Sequence, residues 1–235
     1  TVEKYGGKII FTTSPTKSSS NLINTHLSNF NKSQKIFIEN LKKNKNLKIK
    51  DTFEKFKDLK VLIIGEIIID EYIFCEALGK SGKESVLTFR NLKKERYFGG
   101  SLAVAKHLSD FVSKIEVVSY SNNSKDYFKK KLPKNINLRI FKKDKTNTVL
   151  KTRYIDHIDN RKFMGVYDIN DTKLNAKEEL LLLSKLKDIQ KFDVVIVCDY
   201  GHGLITNKIS NYISKKAKFL SVNAQVNSSN LSYHS

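Results

Sequence analysis

The decapeptide from Val61 to Asp70, VLIIGEIIID, limits this chain more than any other stretch. Its first half is an unbroken β-branched and leucine run ending at Gly65, the composition of a strand buried on both faces, as in a parallel sheet. The run continues through three isoleucines and closes on a single carboxylate, Asp70. About thirty residues later Gly99 and Gly100 stand immediately before SLAVAKHLSDF, whose apolar residues recur at helical spacing, with Ser101 placed to cap the helix start. A carboxylate accepts hydrogen bonds from hydroxyl groups, and glycines let backbone N–H groups approach a ligand closely, so the two features together suit a polyhydroxylated ligand. The same residues would also serve as a core strand ending in a surface acid and a glycine turn before a helix.

The rest of the chain sets that strand in an alternating pattern. After Val61–Gly65, the residues from Tyr72 to Phe98 read as short alternating pieces with turns at Gly79 and Gly82, a small antiparallel flap that leaves the sheet and returns at the glycine pair. Helix 101–111, strand KIEVVSY, helix DYFKKKL and strand NLRIF follow. TVLKTRYID and RKFMGVYDI then form a hairpin around Asp159 and Asn160. Helix 175–187, strand VVIVCD, helix 206–216 and strand FLSVNA complete the order. Repeated βα units predict an α/β fold with a mainly parallel sheet covered by helices on both sides. In such sheets ligands lie beyond the carboxyl ends of the strands, where Asp70, Gly99 and Asp199 are expected to converge. Arg153, on TVLKTRYID, is either a clamp for a substrate phosphate or carboxylate or a surface strand residue.

The first fifty residues differ in character. Lys8–Thr13 reads as a short strand after Gly6 and Gly7, ended by Pro15. Ser18, Ser19 and Ser20 then precede Leu22, Ile23, Leu27 and Phe30 at helix-like intervals. Those serines could cap the helix, or hold a phosphate together with its free N–H groups. Residues 32–58 are rich in lysine and asparagine and read as a helical linker.

Composition excludes several classes. With 40% hydrophobic residues among 235, a packed core is available. No apolar stretch approaches the roughly 20 residues of a membrane span, and the N-terminus shows no secretory signal pattern. The formal charge of +19 invites a nucleic-acid reading, yet the lysines are spread over nearly every segment and far outnumber arginines, which argues against a dedicated docking face. Two cysteines, Cys75 and Cys198, far apart and one of them in an apolar run, fit free thiols in a reducing cytoplasm.

VLIIGEIIID, the returning flap, FGGSLAVAKHLSDF, TVLKTRYID and VVIVCDYGHGL, in this order, resemble the ribokinase-like, PfkB-type carbohydrate kinases, and among these the heptose-phosphate kinase part of bifunctional kinase and nucleotidyltransferase proteins. The resemblance covers roughly residues 59–235. It implies an α/β domain with a β lid over the sugar at about 72–98, incomplete at the C-terminus, and a homodimer through the lid. It further implies that Asp70 holds sugar hydroxyls, that Gly99 and Gly100 line the sugar site, and that Asp199 forms its far wall. Residues 1–31 are similar to the end of a cytidylyltransferase-like domain, in which Ser18, Ser19 and Ser20 would touch a nucleotide. The implied parent transfers the ATP γ-phosphoryl group to a sugar or sugar phosphate, with Mg²⁺ bridging phosphates.

Two positions, Ala103 and Ser101, depart from the family pattern, and a third, Glu66, keeps to it. Ala103 stands where a sugar-contacting Asn is usual, Glu66 is the acid that commonly follows the first strand's glycine, and Ser101 replaces an alanine. The family's catalytic Gly-x-Gly-Asp turn supplies both an anion hole and a general base; here Gly201, His202 and Gly203 are followed by Leu204. The expectation is a chain that holds the sugar-binding portion and is inactive alone.

Overall fold

The computed structural model describes residues 2–7, 30–43 and 49–225. The chain divides into two compact units, Thr1–Ile49 and Lys50–Ser235. In the first, a short 3-10 turn spans Val2–Tyr5 and helix α1 spans Lys32–Lys43. Asn31 opens α1 through reciprocal bonds: its Oδ1 accepts from the Gln34 N–H, and its own N–H donates to Gln34 Oε1, both at 2.9 Å. None of its residues is buried. The expected strand Lys8–Thr13, the serines Ser18, Ser19 and Ser20, and the helix expected from Leu22 lie outside the described residues.

The second unit begins one residue into α2, Ile49–Phe56, whose Phe53 packs on Phe111 with ring centroids 5.5 Å apart. Strands β1 (Lys60–Gly65), β4 (Lys114–Tyr120), β5 (Ile136–Phe141), β8 (Val194–Asp199) and β9 (Leu220–Ala224) form one parallel sheet in the order β5-β4-β1-β8-β9. Alternation along β1 sends Leu62 and Ile64 to one face and Val61 and Ile63 to the other. The first face packs on helices α5 (Ala176–Lys185) and α6 (Asn207–Lys216) through Leu182, Leu186, Ile209 and Ile213. The second packs on α3 (Ser101–Leu108) and α4 (Lys125–Lys129) through Leu102, Ala105 and Phe128. Burial on both faces explains the continuous apolar run of β1, and the expected parallel sheet flanked by helices is present.

The isoleucines after Gly65 belong to a different sheet. Glu66 separates β1 from β2 (Ile67–Lys80), which pairs antiparallel with β3 (Leu87–Gly100) and parallel with β6 (Val149–Asp156); β6 in turn pairs antiparallel with β7 (Lys162–Asp168). The order is β3-β2-β6-β7. The expected hairpin of TVLKTRYID and RKFMGVYDI, 148–156 and 161–169, therefore forms, but as part of the four-stranded sheet that contains the expected lid. The short pieces expected between Tyr72 and Phe98 are two continuous strands of 14 residues each. Ser101 does not cap α3. Gly100 occupies the cap position with φ 60° and ψ −136°, and Ser101 is already inside the first turn because its N–H donates to the Glu66 carbonyl at 2.9 Å. No helix among the described residues is long and apolar enough to cross a membrane, and Cys75 and Cys198 are both buried free thiols.

Candidate functional site

From β1 the chain passes through the lid to β4 and β5, then jumps across β1 to build β8 and β9. The strand order thus reverses between β1 and β8, and the crevice at the carboxyl ends of these two strands is where a ligand belongs. Glu66 sits there, fully buried. Its Oε2 accepts from the Tyr200 N–H at 3.0 Å and its Oε1 from the Leu204 N–H at 3.3 Å. Its main-chain oxygen holds the start of α3, and the next N–H, of Ile67, donates to Ser119 Oγ at 3.1 Å. One residue thus ties β1, the lid base, α3 and the 200–204 loop together. Burial lifts the Glu66 carboxyl to about 7; the Tyr200 N–H opposes this, and the charge of Asp199 adds to it.

The lid base supplies the opposite wall. Side chains at alternate positions share a face, so Ile68, Asp70 and Tyr72 of β2 lie together, with Lys151 of β6 in register with Asp70 and Arg153 in register with Tyr72. Arg153 Nη1 donates to Asp70 Oδ1 at 2.5 Å. Its guanidinium carbon lies 5.6 Å from the Tyr72 ring centre and 5.7 Å from that of Tyr167. Gly99 pairs with Ile68, and a Cβ there would collide with Asp70 Oδ2. Gly100 has φ +60°, and a Cβ would run into the Glu66 carbonyl, so the backbone itself requires glycine there, whereas at Gly99 only the end of the Asp70 side chain stands in the way. Lys151 is half-buried, and among the described residues its ammonium has no hydrogen-bond or ion-pair partner. Burial lowers its pKa, against the pull of Asp70. On the other face of the same strands the buried Glu71 is held by Arg96 at 2.5 Å, Lys94 at 3.0 Å and Thr152 at 3.2 Å. Burial would raise its carboxyl, but the two cations hold it below the ordinary range.

Asp199 closes β8, is buried, and accepts the Gly201 N–H at 2.9 Å. His202 Nδ1 lies 2.7 Å from Asp171 Oδ1, its Nε2 is buried without a partner among the described residues, and its carbonyl accepts from Lys143 Nζ at 3.0 Å. Burial lowers the His202 pKa; Asp171 opposes, while Lys151 and Lys143 reinforce the shift. The ring is therefore neutral at pH 7, donating from Nδ1 and leaving Nε2 as an acceptor. Tyr200 lies between the two walls: its hydroxyl is pushed up to about 12 by burial, then by Cys198, Glu66 and Asp70. The structure thus brings Asp70, Gly99, Gly100 and Arg153 into one wall and sets Asp199 beside Glu66 on the other. Glu66, Lys151 and the His202–Asp171 pair are additions that sequence reading did not place in the site. The signals were present as a charge inside an apolar run and a histidine between two glycines, but their partners were not.

No family model matches the chain. It is 27% identical over 165 residues to the bifunctional protein HldE of Campylobacter jejuni strain RM1221, covering 69% of this chain and 34% of that protein. With the bifunctional protein HldE of Helicobacter pylori strain G27 it shares 28% identity over 159 residues, covering 66% and 34%. The chain therefore spans about a third of the length of the curated relatives it matches. The crystal structure of phosphofructokinase-2 from Escherichia coli, in complex with fructose-6-phosphate, superposes with a TM-score of 0.52 at 11% identity, covering 73% of this chain and 56% of that one. The fold is ribokinase-like. The chain resembles a PfkB-type carbohydrate kinase domain, with Asp70 on the four-stranded sheet and Asp199 at the end of β8 in the parallel one.

Proposed function

We propose that residues 59–235 are the sugar-binding portion of a carbohydrate kinase whose full-length parent transfers the ATP γ-phosphoryl group to a hydroxyl of a sugar or of a heptose-phosphate-like sugar phosphate. In this reading residues 1–31 are the end of a nucleotidyltransferase-like domain, with Ser18, Ser19 and Ser20 at its nucleotide, and 32–58 are the linker. The observation that carries it is the Asp70–Arg153 pair against Gly99 at the lid base. A carboxylate presented beside glycine backbone accepts sugar hydroxyls, the guanidinium donates to sugar oxygens or to a phosphate, and flanking tyrosine rings supply apolar surface. The two free thiols suit the cytoplasm.

The residues that would finish the chemistry are not assigned in this chain. Phosphoryl transfer needs a base for the attacking hydroxyl and donors for the charge on the γ-phosphoryl group. The Gly201–Gly203 turn ends in Leu204 rather than an acid, and the N–H groups of Gly201 and Leu204 are taken by Asp199 and Glu66, which fits a sugar-side turn rather than an anion hole. In the parent, Mg²⁺ would be held chiefly by the phosphates of ATP and water. Residues 1–235 alone are expected to phosphorylate no sugar; ATP-dependent turnover by this chain would refute that. A second reading, favoured by Ala103, keeps the catalytic activity in the nucleotidyltransferase and makes the kinase-like part a non-catalytic sugar-binding or dimerisation module, with the lid as the homodimer contact.

Asp70→Asn in the full-length parent tests the site. Loss of a charge-assisted hydrogen bond of about 1.5–3 kcal/mol should weaken sugar affinity at least tenfold, measured by calorimetry. Unchanged affinity would remove Asp70 from the site.

A further inference from the structure

We propose that a second cleft, between residues 142–145 and the start of α5, binds a multiply charged anion of the phosphate class, at a site separate from the sugar pocket. The cleft encloses about 710 Å³, within the range of small-ligand sites, and is lined by Lys142, Lys143, Lys145 and Lys177 against Asp144 and Glu178. Its charges do not cancel. Glu178 is buried, and its two oxygens accept the N–H groups of Asp144 at 2.6 Å and Asn175 at 2.8 Å, so backbone dipoles absorb its charge. Lys143 is also buried and turned away, onto the carbonyls of His202 and Asn170 at 3.0 and 3.2 Å. What remains at the surface is three exposed lysines, Lys142, Lys145 and Lys177, none with an ion-pair partner among the described residues, facing the single carboxylate of Asp144.

The segment that carries two of these lysines is fixed. Lys145 has φ 47°, a left-handed conformation unfavourable for a side chain with a Cβ. Asn122 Nδ2 donates to the Thr146 carbonyl at 2.6 Å, and Thr146 Oγ1 to the Asp144 carbonyl at 2.9 Å, which together hold the backbone in place. A concave surface bearing several unpaired ammonium groups and no guanidinium attracts oxyanions as point charges, from several directions rather than through one planar fork. A neutral sugar would leave these cations unmatched. An anion with several phosphate oxygens would match them.

Because the whole chain carries +19, the test must separate this cleft from general attraction. Binding of inorganic tripolyphosphate to the 235-residue chain is measured by calorimetry at about 0.15 M salt, where charges beyond about 8 Å are screened. Replacing the three cleft lysines (Lys142→Gln, Lys145→Gln, Lys177→Gln) should weaken binding at least tenfold. Replacing three exposed lysines elsewhere (Lys129→Gln, Lys130→Gln, Lys215→Gln) removes the same charge and should change it less than twofold. Equal losses in both triples, or no binding by the unaltered chain, would overturn the proposal. A tenfold loss on Arg153→Ala would overturn it too, by placing the anion in the sugar pocket. All six lysines are exposed and each triple removes the same charge, so any shift in thermal melting should be alike in the two and a difference in binding reports the site.

Discussion

At the scale of single residues, the pH dependence of Glu66 is the sharpest consequence of the structure. Its carboxyl titrates near 7 in the folded chain against a reference of 4.5, so the native state retains a proton that the unfolded chain releases between those values. Stability from this group therefore falls as pH rises through that window, by an amount on the order of 3 kcal/mol once both states are ionised. His202 acts in the opposite sense. Its pKa is lowered below 6.5, so its contribution is present above 6.5 and is lost as pH falls from there through the lower folded value. Glu66→Gln should cost about 1 kcal/mol at pH 5, where one of two accepted N–H bonds is lost. The variant should then gain on the parent chain at each step to pH 8, in urea titrations at pH 5, 6, 7 and 8; a difference that stays flat with pH would show that Glu66 does not hold its proton. Gly99→Ala should weaken sugar binding by the parent while moving the melting temperature little, because the new methyl meets the end of the Asp70 side chain rather than backbone. Gly99, Gly100 and Asp199 can be picked from sequence as glycine or acidic residues at strand ends, whereas Asp70 and Arg153 lie inside β2 and β6. Glu66 cannot be placed that way, since the N–H groups it holds lie 134 and 138 residues further on.

At the scale of elements, the helix expected over 175–187 forms, capped by a side chain that sequence reading did not name. Asn175 and Glu178 form a reciprocal cap at α5, with Asn175 Oδ1 accepting the Glu178 N–H at 3.0 Å and Glu178 Oε2 accepting the Asn175 N–H at 2.8 Å. Asn175→Ala should lower stability by about 1 kcal/mol, read as a shift of the urea midpoint at constant slope. At α3 the reading of Ser101 as the cap fails, because the chain enters that helix through glycine backbone held by Glu66 rather than through a hydroxyl. The lid strands were read as fragments for a related reason. Register shifts between Phe74 and Cys75 and between Ala77 and Gly79 change which side chains share a face, so the two-residue alternation that marks a strand is interrupted inside β2.

For the whole molecule, the excess of lysine sets a long-range repulsion that salt should relieve. Raising salt from about 0.02 to 0.5 M is expected to raise the melting temperature, because the Debye length falls from roughly 20 Å to a few ångströms. A falling melting temperature would mean that paired surface charges, such as Lys57–Glu54 and Arg90–Glu76, outweigh the net repulsion. The order of strands and helices and the parallel character of the main sheet were determined by the sequence, because periodicity and burial on two faces are local properties of a segment. Which strands leave the main sheet for the lid, how Asp70 meets Arg153 across 83 residues, and how Glu66 grips the 200–204 loop were decided only by tertiary structure. Those contacts depend on how distant segments pack and close on one another, and no local propensity encodes that.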